Sequence, residues 1–156
     1  MPPHQPDRGR SNTLANPLSS HYKLEDQVGH LLRRANQRHA AIFFEGLGGK
    51  QLTPLQFAVL VKIGDEGEVS QNLLGRLTAM DPATVQGVAR RLRERTLINA
   101  RPDPEDRRRS LWKLSPVGTQ FIRDVIPAAE AITAKTLEPL SAKEQKTLLN
   151  MLRKLS

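Results

Sequence analysis

The sequence predicts a mainly α fold that carries one small β-hairpin. Three observations lead there. Apolar residues recur at helical spacing in six separate stretches. A capping residue followed by proline marks three helix starts, at Thr53-Pro54, Asp81-Pro82 and Ser115-Pro116. Only one region alternates as strands do: "LINARP" and "SLWKLS", on either side of the charged tip "DPEDRRR".

Taken in order, residues 1–20, "MPPHQPDRGRSNTLANPLSS", lack the apolar run of a signal peptide and read as a disordered arm. A single domain is expected over 21–156. From Leu24 the apolar residues Val28, Leu31, Leu32, Ala35, Ile42 and Phe43 predict a helix over about 24–45. The glycines of "EGLGG" (Gly46, Gly48 and Gly49) are expected to stop it. Its apolar stripe is longer than one small domain needs to cover, which points to a partner subunit. Further helices are expected at about 53–64, 70–77, 81–95, 115–137 and 141–155. In each cap-proline pair the cap oxygen accepts a free backbone N–H, and proline removes a donor that would otherwise be orphaned. Thr53 with Gln56 and Ser141 with Glu144 fit capping boxes, and Ser70 is a further cap. Pro127 falls inside the fifth of the six helices and is expected to kink it.

Composition narrows the function. The chain has 156 residues, a net charge of +8 and a pI near 10.4, so a polyanionic partner is the first candidate. The absence of cysteine excludes disulfides, zinc–thiolate sites and a thiol nucleophile. His4, His21, His30 and His39 have no metal-ligand spacing. No apolar run reaches the roughly 18 residues of a membrane span, so a soluble, cytoplasmic protein without a membrane partner is expected. No nucleophile–base pair or phosphate loop appears. Accordingly no enzyme activity, catalytic residue, cofactor or metal is expected.

The informative constellation begins with two short helices, 70–77 and 81–95, joined by "TAMD" and followed by the basic hairpin. That is the plan of a winged helix-turn-helix. On the second helix Val85, Val88, Ala89 and Leu92 share one face. The opposite face gathers Ala83, Thr84, Gly87, Arg90, Arg91 and Glu94, with Gln86 at its edge. Small residues permit close approach to a groove floor, and the arginines then reach bases or phosphates. Gln71 and Asn72, at the start of the preceding helix, join the expected DNA contacts. Gly87 costs about 1 kcal/mol relative to alanine inside a helix. Close approach to DNA and tight helix packing both account for it.

From about Leu24 to the C-terminus the chain resembles the MarR family of bacterial transcription regulators. The likeness is strongest over "SQNLLGRLTAMDPATVQGVARRLRERTLI" and "RPDPEDRRRSLWKLSPVG". The family's wing motif, Asp-x-Arg, an alternating strand and then Leu-Thr-x-x-Gly, reads here as Asp106-Arg107-Arg108, "RSLWK" and Leu114-Ser115-Pro116-Val117-Gly118. The resemblance implies that Arg108 enters the minor groove while Asp106 holds it in place. A carboxylate that orients an arginine in advance reduces the entropy lost on binding. Arg107 and Arg109 are read as flanking phosphate contacts. Where the family has Arg-Gly-Leu with a left-handed glycine, this chain has Arg95-Thr96-Leu97. Either the turn changes or strain is accepted there.

The resemblance further implies a winged helix-turn-helix over about 53–115, with helices at about 24–45 and 115–155 entwining into a homodimer on a palindromic operator. Its functional implication is a sequence-specific repressor, nucleoid-associated when bound, that a small aromatic or phenolic acid releases from double-stranded DNA. "LEDQVGHLLRRANQRHAAIF" resembles the first helix of a subgroup that controls breakdown of nicotinate-like acids. His39, Arg38 and Phe43 supply an imidazole, a cation and an aromatic wall for such a ligand, with His21, Tyr22 and Arg34 as further candidates. A histidine of the core or dimer interface is the competing reading of His39. The competing function is a general or architectural DNA-binding protein with no small-molecule ligand.

Overall fold

The computed structural model describes residues 22–156. The proposed arm at 1–20 and the candidate ligand residue His21 lie outside them. Within the described residues six α-helices and three strands follow one another as α1 (Val28–Leu47), α2 (Pro54–Glu66), β1 (Val69–Ser70), α3 (Gln71–Thr78), α4 (Pro82–Glu94), β2 (Ile98–Pro102), β3 (Ser110–Leu114), α5 (Pro116–Leu137) and α6 (Ala142–Leu155). No helix among them is long and apolar enough to cross a membrane. The chain divides into two compact units, one ending at Arg34 and one running from Ala35 to Ser156.

In the first unit Leu24–Asp26 forms a single 3₁₀ turn, and Gln27 is extended before α1 begins. The helix therefore starts four residues later than its apolar spacing suggests. In the second unit α1 also runs past the expected stop to Leu47. Gly46 is helical, and its lack of a side chain has a tertiary reason: a Cβ there would lie 2.9 Å from the side chain of Ile132 on α5. The left-handed residue that turns the chain toward α2 is Gln51, with φ 51°.

Helix starts follow the caps. Thr53 and Gln56 complete a capping box, with the Gln56 N–H donating to Thr53 Oγ1 at 3.2 Å and the Thr53 N–H to Gln56 Oε1 at 3.0 Å. Ser70, Asp81, Ser115 and Ser141 each accept the N–H three residues on. Helix α5 continues through Pro127.

The sheet has the order β1-β3-β2, all antiparallel. Strand β1 was not expected, because two residues carry no period to read. It pairs Val69 with Trp112 and Ser70 with Leu111, fastening the start of α3 to the hairpin. Strands β2 and β3 pair from Ile98 opposite Leu114 to Pro102 opposite Ser110. Leu60, Ile63, Leu74, Val85, Leu92 and Trp112 meet in one core, so the inner face of α4 is fixed against α2, α3 and the sheet.

Candidate nucleic-acid interface

Helix α4 buries Val85, Val88, Ala89 and Leu92, as its spacing predicts. Asp81 holds its N-terminus through two bonds, accepting the Thr84 N–H at 2.9 Å and the Thr84 hydroxyl at 2.6 Å. These bonds, the hydroxyl one foremost, hold the Asp81 carboxyl below its usual pKa. Thr84, expected to touch DNA, has thus committed its hydroxyl proton to the cap. Gln71, also expected there, donates to the Pro82 carbonyl at 3.1 Å and joins α3 to the start of α4.

At its other end α4 closes in a Schellman turn. The Thr96 N–H donates to the Arg93 carbonyl at 2.8 Å and the Leu97 N–H to the Leu92 carbonyl at 2.9 Å. Thr96 occupies the left-handed position with φ 57°. The turn is therefore kept, and the strain of a β-branched residue there is accepted. Its surroundings hold it, since Ser115 Oγ donates to the Thr96 carbonyl at 2.7 Å and the Ser115 N–H to the Leu97 carbonyl at 3.0 Å. Gly118 completes the contact, because a Cβ there would come within 1.9 Å of the Leu97 oxygen. The spacing of "LSPVG" is thus what seats α5 against the base of the hairpin.

The acidic residues of the wing tip are turn formers. Asp103 Oδ1 accepts the Glu105 N–H at 2.9 Å, and Asp106 Oδ1 accepts the Arg108 N–H at 3.1 Å. Asp106 also reaches two guanidiniums. Its Oδ1 lies 3.4 Å from Arg108 Nε and its Oδ2 3.3 Å from Arg109 Nε. One carboxylate thus orients two arginines, so Arg109, read from the sequence as a flanking phosphate contact, also meets Asp106. Arg108 remains 94% exposed while so held, which leaves its fork available to a ligand. Arg107 is exposed at the tip. Near the tip end of β2, Arg101 Nε donates to Glu68 Oε1 at 2.6 Å, and its terminal nitrogen pairs with Glu68 Oε2. Hydrogen bonding from Arg101 holds the Glu68 carboxyl below its ordinary range.

Between α4 and the wing lies a cleft of about 520 Å³. It brings together six expected residues: Gln71, Asn72, Gln86, Arg90, Arg108 and Arg109. Arg93 also lines it and was missed. At 100° per residue Arg93 sits beside Gln86 on the boundary of the apolar face, where periodicity alone does not separate cleft from solvent. Ala83, Gly87 and Arg91 do not line the cleft and sit on the outward side of the helix. A Cβ placed on Gly87 would have no atom within 4 Å, so packing within the chain does not account for the glycine. Arg90 pairs with Glu94 at 3.0 Å across exposed surface.

The candidate effector residues divide between the units. Tyr22 and Arg34 are exposed in the first. In the second, Phe43 is buried and packs edge-on against Phe57, with ring centroids 6.0 Å apart. Arg38 donates to the Lys135 carbonyl at 3.2 Å. His39 Nδ1 lies 3.1 Å from Thr136 Oγ1, whose own proton goes to the Ile132 carbonyl at 2.8 Å. The threonine therefore accepts, Nδ1 carries the proton, and Nε2 is left for another partner.

Comparison with known proteins is consistent with this geometry. A sequence profile of the MarR family matches residues 50–109. The HTH-type transcriptional repressor NicR of Pseudomonas putida is 41% identical over 134 residues, covering 86% of this chain and 85% of NicR. A crystal structure of a probable transcriptional regulator from Pseudomonas aeruginosa is 49% identical, with a TM-score of 0.81, over 86% of this chain and all of that one. BpsR of Bordetella bronchiseptica, whose DNA binding is regulated by 6-hydroxynicotinic acid, is 42% identical, with a TM-score of 0.82, over 86% of this chain and 96% of its own.

Proposed function

This chain belongs to the MarR family of transcription regulators, and on that premise we propose that it is a dimeric repressor released from its operator by a hydroxynicotinate-like aromatic acid. The cleft between α4 and the wing carries the reading. It presents Gln86, Arg90 and Arg93 from one side and Arg108 and Arg109 from the other. Side chains of α4 meet a major groove, while Arg108, aimed by Asp106, enters the adjoining minor groove.

One such unit reads too few base pairs for a specific site, and two related by a two-fold axis read a palindrome. The apolar surface left bare supports a dimer. No residue of α6 is buried, and Leu148, Leu149, Met151, Leu152 and Leu155 are all exposed on it. Val28, Leu31 and Leu32 are likewise exposed in the first unit. The aromatic-acid effector rests on the likeness to BpsR, together with the Nε2 of His39 beside Phe43. The protein acts as a cytoplasmic regulator, with no catalytic role.

An anisotropy titration at physiological salt tests the proposal. Duplex from immediately upstream of the protein's own gene is expected to bind at least about 10³-fold more tightly than random duplex, and 6-hydroxynicotinic acid is expected to release it. Equal affinity for both duplexes would overturn the repressor reading in favour of an architectural protein. Preference without release would remove the effector alone.

A further inference from the structure

Four arginines lie along and just beyond the C-terminal half of α4: Arg90, Arg91, Arg93 and Arg95. The first three are exposed, whereas Arg95 is half-buried and turned the other way. It is the C-cap of α4. Its two terminal nitrogens donate to consecutive carbonyls, Gln51 at 2.7 Å and Lys50 at 3.0 Å. Its guanidinium carbon stands 5.3 Å from the centre of the Phe121 ring on α5. We infer that Arg95 is a positioning residue for DNA readout, which fixes the end of α4 to the connector after α1 and to α5 without touching DNA itself.

The chemistry of the contact favours this role. A planar guanidinium presents two parallel donors, which match two successive carbonyls in a way an ammonium does not. Gln51 holds a left-handed φ of 51° at the end of a 3₁₀ turn, so the connector is a fixed bend. The aromatic face below and the carbonyls beyond leave the cation one orientation. A positive charge at the C-terminus of α4 also complements the helix dipole.

The consequence is angular. A 13-residue helix is about 20 Å long, so a tilt of roughly 5° at one end displaces the other by nearly 2 Å. Hydrogen bonds to base edges do not survive such a shift, because their useful distances span only about half an ångström. Contacts to phosphate are more forgiving, since they depend on net attraction more than on alignment. Loss of Arg95 should therefore reduce discrimination between sequences more than it reduces attraction to DNA.

Two measurements on the full-length protein test this, on Arg95→Met, Arg95→Lys and Phe121→Leu. In the first, operator and random duplex are titrated over a range of salt. Arg95→Met is expected to lower the operator-to-random ratio about tenfold, with the salt dependence on random duplex unchanged. Arg95→Lys and Phe121→Leu should fall between Arg95→Met and the parent, and they carry the test if Arg95→Met does not fold. A ratio unchanged within twofold would overturn the inference. So would a reduced salt slope with both duplexes weakened alike, which would make Arg95 a phosphate contact. The second measurement needs no DNA, and so separates this inference from the choice of operator. Amide hydrogen exchange should rise together around residues 50–52 and 93–97, and stay constant around 102–110. Unchanged exchange at the first two segments would show that Arg95 does not hold them.

Discussion

Gly87 offers a test in which stability and function move in opposite directions. It lies near the middle of α4, on the face away from the core, and a Cβ there would meet no atom of the chain within 4 Å. Alanine should therefore fit the free protein without strain and gain the helix propensity that glycine forfeits, about 1 kcal/mol. For a chain of this size that corresponds to a rise of about 2–4 °C in Tm. Against DNA the same methyl is expected to meet the groove floor. Overpacking costs of order 1 kcal/mol for each protomer, or roughly 2 for a dimer, a loss of about 30-fold in operator affinity. Thermal unfolding and anisotropy titration of Gly87→Ala supply the two readings. A more stable variant that binds its operator as tightly as the parent would refute the close approach, since the added methyl would then have met nothing on the DNA.

Asp106→Asn keeps the turn-forming oxygen but removes the charge that orients Arg108 and Arg109. Operator affinity should fall roughly threefold to tenfold, while affinity for random duplex holds or rises. A parallel fall on both duplexes would assign Asp106 to wing folding instead. Thr96→Gly relieves the left-handed strain at the end of α4 and should stabilise the protein by about 1 kcal/mol, seen as a higher midpoint in urea. No gain would mean that the Thr96 side chain contributes as much as its backbone costs. The Asp81 cap sets a dependence on pH. Its folded pKa is lowered by the bonds from Thr84, so its contribution is present above the ordinary aspartate range and is lost as pH falls through the folded pKa. Asparagine caps without titrating. Between pH 7 and pH 3 the parent should thus lose more stability than Asp81→Asn, and identical losses would discount the cap.

What could be read from the sequence was what short-range chemistry decides. Thr53, Ser70, Asp81, Ser115 and Ser141 cap helices because their oxygens reach an N–H three residues away, whatever the rest of the fold does. Helix ends were less legible. Gly46 looked like a stop and is an approach point for Ile132, while two of the left-handed positions that end turns carry glutamine and alanine, at Gln51 and Ala79. The wing motif identified Asp106 as an arginine holder, but not that its second oxygen takes Arg109. Arg93 and Arg95 differ by two residues, and only packing sends one into the cleft and the other to the Lys50 and Gln51 carbonyls.

That partition bears on the choice between a specific regulator and a general DNA binder. Between Arg90 and Arg109 the chain places eight arginines. Four pair with carboxylates, Arg90 with Glu94, Arg101 with Glu68, and Arg108 and Arg109 with Asp106. Arg95 is spent on carbonyls. Only Arg91, Arg93 and Arg107 form no ion pair or hydrogen bond through their side chains among the described residues. A protein selected for attraction alone gains most from unpaired cations, since each phosphate neutralised releases counterions. Pairing weakens that attraction and improves orientation, which is useful only where position on the duplex matters. The acidic residues among these arginines are therefore themselves an argument for sequence readout.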